Sequence, residues 1–423
     1  MKSQRVAIIR QAARYEEPAV RESVRRAVAA LGISFAELVR PGDRVVLKPN
    51  FIRESHTERA GEWEQIITHG TVIAAVAEEV AAALGGRGTI TVADAPQTDS
   101  DFEKICELTG VGALRDRLTR QHRDLQFEIL DLRREAWRTE GGVIVERRKL
   151  PEDPRGYTLV DLGERSFFHG KAGKFYGADY DSHFTQQHHT GGKHEYLISR
   201  SVMDADVFIC LPKLKTHKKV GVTLSLKNLV GINGDKNYLP HYCLGTPDEG
   251  GDEFPNNAMK NKVQSKLVKA LKGGPWWTPG VKRVGAKIFG ETSRVVRSGN
   301  WWGNDTTWRM TLDLNRALLE YDGAGQRRRQ PLRYLTIIDG IIAGEGNGPM
   351  EADAKPCGVL VAGVNPVAAD FVATQLMGFD WRKVPAVREG FALTEFRPED
   401  VAFELGEPFR FRPHFGWVGH IES

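Results

Sequence analysis

The chain reads as an α/β protein: a mostly parallel sheet or sheets with covering helices, a β-rich elaboration in the middle and a helical basic insertion. Three observations predict this. The first hundred residues alternate short apolar runs with amphipathic ones in β–α–β–α–β order, the pattern of a parallel sheet covered by helices. The apolar run Asp206-Val-Phe-Ile-Cys-Leu211 passes directly into Pro212-Lys213-Leu214-Lys215-Thr216-His217. This places cations beyond the carboxyl end of a buried strand, where open α/β sheets keep their ligand crevice. The C-terminal part again reads β–α, with Asn365-Pro366 opening a helix that runs through Met377 to Gly378, a cap, first-turn proline and terminal glycine in order.

Taken in order, Val6 to Ile9 predict a strand, and Pro18 to Leu31 an amphipathic helix stopped by Gly32. Arg44 to Leu47 form a second strand ending in Lys48-Pro49-Asn50. Thr71 to Leu84 form an Ala-rich helix stopped by Gly85-Gly86, and Thr89 to Ala93 a third strand ending in Asp94. Phe127 to Leu132, Val143 to Glu146 and Tyr157 to Leu162 are short strands of the β-rich elaboration, about residues 125–195. His183, His188, His189 and His194 then gather among polar residues. Adjacent His188 and His189 suit a metal in a loop, but a polar, mobile loop is the favoured reading.

Residues 256–325 form a basic, Trp-containing segment between an N-terminal part, 1–255, and a C-terminal part, 326–423. Across 256–300, Lys260, Lys262, Lys266, Lys269, Lys272, Lys282, Arg283, Lys287, Arg294 and Arg297 face only Glu291, and Trp276-Trp277 and Trp301-Trp302 bracket the second half. Val263, Leu267 and Leu271 recur at helical spacing. The favoured reading is an ordinary helix, apolar face on the body and lysines in water; the alternative is contact with an acidic polymer or an anionic membrane surface. Asp305 is placed to cap a helix from Thr306 to Tyr321. Tyr334 to Ile338 predict a buried strand leading into a glycine-rich loop from Asp339 to Pro349, and Val359 to Ala362 another strand. Asp370, one turn into the last helix, is placed to favour that helix's N-terminus.

Composition excludes several classes. The 423 residues are 41% hydrophobic and 27% charged, ordinary for a soluble protein, and no apolar run is long enough to span a bilayer. The N-terminus reads as a strand without a signal-peptide core, so a cytoplasmic protein is expected. A net charge of +4 is too mild to imply nucleic acid. Cys106, Cys210, Cys243 and Cys357 are far apart and form no Cys-x-x-Cys, so no iron–sulfur cluster or local thiolate zinc site is expected. The glycines at 344, 346 and 348 match neither the dinucleotide fingerprint nor the P-loop.

What remains is a set of cations that need an anion, since burying unpaired charge is costly. Lys48, Asn50, Lys213, Lys215 and Asn228 are the candidate substrate-binding residues. His217 is the candidate proton carrier, because neighbouring lysines favour its neutral form and make it a usable base. Lys227, inside the otherwise apolar stretch Val222 to Val230, needs a partner or a ligand and is a candidate catalytic residue, stabilising developing negative charge together with Asn228. Asp339 is a candidate second acid/base group, and Asp94 and Glu345 candidate ligands of a divalent metal.

These residues carry a resemblance. Lys48-Pro49-Asn50, Pro212-Lys213-Leu-Lys-Thr-His217, Lys227-Asn228-Leu-Val-Gly231, Asp339-Gly340 through Gly346-Asn-Gly-Pro349 and Asn365-Pro-Val-Ala-Ala-Asp370 resemble the hallmark blocks of the family catalogued as domain of unknown function 362 (DUF362). Many members of that family carry an added cluster-binding ferredoxin-like module; this chain lacks its cysteines. A fainter similarity links the strand, Pro212, His217 and Lys227 to the nickel-pincer lactate racemases. There a histidine moves the proton and a lysine tethers the cofactor, which implies the acid/base role for His217 and an anchoring role for Lys227. His241 lies near where a metal-binding histidine stands in those enzymes, at a different spacing. The resemblance implies shared architecture, not a nickel cofactor.

The leading functional expectation is an enzyme doing racemase- or isomerase-like proton transfer on an anionic small molecule, with metal or cofactor assistance unspecified. The alternatives are a polyanion-, nucleic-acid- or membrane-surface-binding protein without catalysis, and a redox protein using a borrowed cofactor.

Overall fold

The computed structural model describes residues 4–140, 143–177, 181–272 and 295–423. Trp276, Trp277, Lys282, Arg283, Lys287, Glu291 and Arg294 lie outside the described residues, as do the side chains of Leu267, Lys269, Leu271 and Lys272.

Among the described residues, ten strands build one mixed sheet. Its parallel half runs Arg333–Asn347, Val207–Leu211, Arg44–Pro49, Gly88–Asp94, Leu125–Asp131. On its other side Arg333–Asn347 turns back antiparallel as Glu351–Gly363, which pairs antiparallel with Gln4–Arg10, and Val401–Ala402 adds a parallel edge. The C-terminal hairpin therefore enters the same sheet as the N-terminal strands. The strand runs are continuously apolar because both faces are covered. Val45, Leu47 and Ile209 face helices Glu17–Ala30 and Gly70–Ala83. Val46, Phe208 and Cys210 face the other way, onto Met310, Leu314 and Leu318 of helix Thr307–Glu320. Side chains alternate along a strand, so Lys48 leaves on the same side as Val46.

Several expectations change. Leu125–Asp131 is the edge of the main sheet, and helices Phe102–Thr109 and Val111–Gln121 precede it. The expected loop after Asp339 is strand through Asn347. Its glycines serve close approach as much as turning: a Cβ on Gly344 would lie 2.8 Å from the Gln65 carbonyl, and one on Gly340 2.7 Å from Leu214. The expected His-rich loop contains helix Ser182–His188; His189 is buried and its Nε2 meets the Tyr238 carbonyl at 2.8 Å, while His188 pairs with Glu195 at 2.6 Å. Asn304, not Asp305, takes the amides of Thr306 and Thr307, at 3.0 and 2.8 Å; Asp305 pairs with Lys171 and Arg309.

In the basic helix, Met259–Lys272, Lys260 and Lys266 are exposed as expected, but Val263 does not pack on the body. Asn261 and Ser265 are buried, while Met259 and Val263 are 74% and 58% exposed. Polar partners set this orientation: Ser265 Oγ donates to Glu253 at 2.9 Å, and Asn261 Nδ2 to Asn256 Oδ1 at 2.8 Å.

Candidate anion site at the strand crossover

Arg44–Pro49 and Val207–Leu211 are neighbours, with Lys48 opposite Cys210 and Pro49 opposite Leu211. The next strands after Arg44–Pro49 are laid to one side, and Arg333–Asn347 follows Val207–Leu211 to the other. This is a topological switch point, which leaves a crevice beyond the carboxyl ends of the two strands. Lys48, Asn50 and the Lys213–His217 segment all issue there.

Asn228 bridges the seam. Its Nδ2 donates to the Lys48 carbonyl at 2.9 Å and to Cys210 Sγ at 3.2 Å, and its Oδ1 lies 3.4 Å from both Asn50 Nδ2 and Lys48 Nζ. Lys48 is fully buried and paired with Asp94 at 2.7 Å. Asp94 also takes the Phe51 amide at 2.7 Å. A Cβ on Gly231 would stand 1.8 Å from Asp94 Oδ1, so only glycine lets this segment pack on the pair.

Lys213 is neutralised as well. Its Nζ lies 2.8 Å from Asp339 Oδ2 and donates to the Tyr15 hydroxyl at 2.8 Å. Tyr15 donates to Asp339 Oδ1 at 2.9 Å, and Asp339 takes the amides of His69 and Ile341. Burial and the Asp339 charge push the Tyr15 phenol well up. Asp339, expected as an acid/base group, is the saturated counter-ion of a closed network. Asp94 and Glu345, expected to share a metal, serve different cations: Glu345 pairs with Lys355 at 2.9 Å on the C-terminal hairpin. Among the described residues no three His, Cys, Asp or Glu side chains group as a metal site.

A third set has no carboxylate of its own among the described residues. Lys215 Nζ donates only to the Ile66 carbonyl, and burial, with Lys213 and Lys227 adding, holds its pKa well below the usual lysine value. Lys227 makes no hydrogen bond or ion pair among the described residues; burial and the Lys48 charge bring it down to about 8. Lys236 donates to the Ala95 carbonyl at 2.7 Å, and burial pulls it down to about 7, with Lys48, Arg133 and Lys227 adding against Asp94. His217 is held neutral first by burial, then by Lys227, Lys218 and Lys215, and His241 first by burial, then by Lys227 and Lys219. Beyond burial, like charges at short range in low dielectric repel, so each of these groups holds its proton less tightly than usual.

Lys227 stands on the short helix Leu224–Asn228, entered through Leu224 at φ +44°, a conformation that a branched residue adopts only under constraint. The constraint is visible. Asp370 takes the amides of Ser225 and Leu226 at 2.8 Å each, Ser225 Oγ meets Thr336 Oγ1 at 2.9 Å, and Asn315 Nδ2 donates to the Leu226 carbonyl at 2.9 Å. Asp370 therefore serves this helix rather than the N-terminus of its own.

With these blocks assembled, the family model described as Domain of unknown function (DUF362) matches residues 158–375. The chain belongs to the DUF362 family. A thylakoid-associated protein of Synechocystis sp. is 26% identical over 396 residues, covering 93% of this chain and 81% of that protein. Complement component C9 of Oncorhynchus mykiss is 28% identical over 98 residues, 23% of this chain and 16% of that protein. A crystal structure of a Thermotoga maritima protein aligns at 13% identity and a TM-score of 0.33 over 89% of this chain, which spans 58% of the length of that solved chain.

In this DUF362 chain the fold brings Lys48, Asn50, Asn228, Lys215, His217 and Lys227 into one neighbourhood. It places Lys48 with Asp94, Lys213 with Asp339 and Glu345 with Lys355 in ion pairs. Lys236 was missed: it follows Gly234-Asp235 in a stretch with no periodic signal. His241 stood out only through resemblance to the racemases. Cys210 is a fully buried core residue, as expected.

Proposed function

We propose that this DUF362 protein is an enzyme that binds an anionic small molecule, a carboxylate or phosphate, in the switch-point crevice and moves a proton on it. The observation that carries the reading is the Lys227 ammonium, fixed on a braced helix among Lys48, Lys215, Lys236 and two neutral imidazoles, with no carboxylate partner among the described residues. At neutral pH Lys227 is mostly protonated and binds the anion or stabilises negative charge developing beside it. Racemisation, isomerisation or another step beginning with proton removal next to a carbonyl suits these groups. Because Lys48 and Lys213 already have counter-ions, the ligand's charge falls to Lys227, with Lys215 beside it.

The test is thermal unfolding with phosphate and with lactate, in wild type and Lys227→Gln, alongside NMR detection of solvent deuterium entering the ligand's α-carbon. The expected result is anion stabilisation of wild type that the variant loses. Equal response of both proteins to either anion refutes the site.

A second reading has its own observation. Helix Met259–Lys272 turns Met259 and Val263 outward beside the exposed Lys260 and Lys266. That face suits an anionic membrane surface, in keeping with the thylakoid-associated relative. No helix among the described residues is long and apolar enough to cross a membrane. Co-sedimentation with phosphatidylglycerol vesicles, lost in Val263→Asp and absent with phosphatidylcholine, is the expected result; no binding to either removes this reading.

A further inference from the structure

The two histidines of the crevice are fixed in opposite tautomers. His217 Nδ1 accepts the Lys219 amide hydrogen at 3.0 Å, so that nitrogen carries a lone pair and the proton of the neutral ring sits on Nε2. His241 Nδ1 lies 2.8 Å from the Leu239 carbonyl. A carbonyl oxygen only accepts, so Nδ1 carries the proton there and Nε2 is the bare nitrogen. From these two hydrogen bonds we infer that His241, through Nε2, is the proton acceptor of the site and that His217, through its Nε2–H, is the donor to the ligand. This rests on the anion-site reading above and deepens it, and it reverses the role the sequence suggested for His217.

Backbone contacts hold both rings in place. The His217 backbone ends strand Lys213–His217, opposite Gly221. His241 N donates to the Tyr176 carbonyl at 2.7 Å, and the His241 carbonyl receives Asn304 Nδ2 at 3.0 Å and Thr307 Oγ1 at 2.5 Å. Each ring feels the Lys227 charge, and His217 feels His241. Burial and the surrounding cations oppose protonation of both, so each keeps one lone-pair nitrogen and one N–H at neutral pH. Neither Nε2 has a hydrogen-bond partner among the described residues. A neutral N–H donor and a bare imidazole nitrogen that both lie within the field of Lys227 are suited to polarising a carbonyl or carboxylate and taking the adjacent proton.

Iodoacetate tests this in the wild-type protein. It is a small carboxylate, and its methylene carbon is attacked by an unprotonated nitrogen. The Nε2 lone pair forms the N–C bond, the C–I bond breaks, iodide leaves with the bonding pair, and the Nδ1 proton passes to water. Peptide mapping locates the label and separates it from the cysteines. The expected result is carboxymethylation of His241 and not of His217, faster with iodoacetate than with neutral iodoacetamide by roughly tenfold or more through the local field. Label on His217, or on neither histidine, overturns the inference. Label on His241 at equal rates with both reagents supports the histidine assignment and overturns the anion site. Long-range ¹⁵N–¹H NMR of histidine-labelled protein gives a second readout: His217 as the Nε2–H form and His241 as the Nδ1–H form are expected, and the reverse pattern overturns the assignment.

Discussion

Asp370 holds Ser225. The carboxylate, buried on helix Pro366–Leu376, receives the Ser225 amide at 2.8 Å and, with its other oxygen, that of Leu226 at the same distance. It thereby fixes the backbone that presents Lys227 two residues further on. Burial nevertheless raises the Asp370 pKa to about 7, against the lowering effect of those amides.

The sign of the resulting pH dependence follows from linkage. A carboxyl that binds its proton more tightly in the folded state stabilises the fold below its unfolded pKa of about 4 and loses that contribution as pH rises through the folded value. The stability of wild type relative to Asp370→Asn is therefore expected to fall between pH 4 and 7 and to level off above. Urea unfolding at pH 5, 6, 7 and 8 measures this; a pH-independent difference contradicts it.

Lys227 titrates in the opposite sense. Its folded pKa of about 8 lies below the ordinary lysine value, so the unfolded chain holds that proton to higher pH and wild type gains stability between about pH 8 and 10. Lys227→Met is expected to be more stable than wild type at pH 7, an advantage that shrinks across that window. A functional group held at a cost to stability has this signature. Thermal melts at pH 7, 9 and 10 are the measurement, and a variant less stable at pH 7 refutes the cost.

The Lys213–Asp339 pair is fully buried. Asp339→Leu leaves an unpaired buried ammonium and is expected to destabilise by about 3–5 kcal/mol. Adding Lys213→Met to it removes the stranded charge and is expected to recover part of the loss. Chemical denaturation of the two single variants and the double variant checks this; strict additivity would show that the two groups do not act as a pair.

Gly231 and Gly112 make a matched contrast. A Cβ on Gly231 would collide with Asp94 at 1.8 Å and with Lys48 at 2.7 Å, whereas one on Gly112 meets nothing within 4 Å. Gly231→Ala is expected to destabilise severely. Gly112→Ala, inside helix Val111–Gln121, is expected to stabilise by about 0.5–1 kcal/mol. Comparable melting temperatures for the two variants would contradict the close packing at residue 231.

The legible part of the site was its location. Polar residues after apolar runs marked Lys48, Asn50 and Lys213–His217 as strand ends, and the structure places them at the switch point. Helix Glu17–Ala30 lies within one residue of the span read from Pro18 and Gly32. Pairing was illegible. Lys48 and Asp94 are 46 positions apart, Lys213 and Asp339 126, and no local rule says which cation finds a carboxylate. The exposure of Val263 was illegible for the same reason: spacing marks the faces of the helix, but Glu253 and Asn256 draw Ser265 and Asn261 inward.

By itself the amino-acid order determined an α/β chain with lysines at its strand ends, because side-chain alternation, caps and breakers act over a few residues. Only the tertiary structure decided which charges are cancelled by carboxylates and which are not, and which nitrogen of each imidazole bears the proton. Those outcomes depend on atoms brought together from remote segments: a hydrogen bond needs its partners within about 3 Å, and charges act on one another only over the short distances that folding creates.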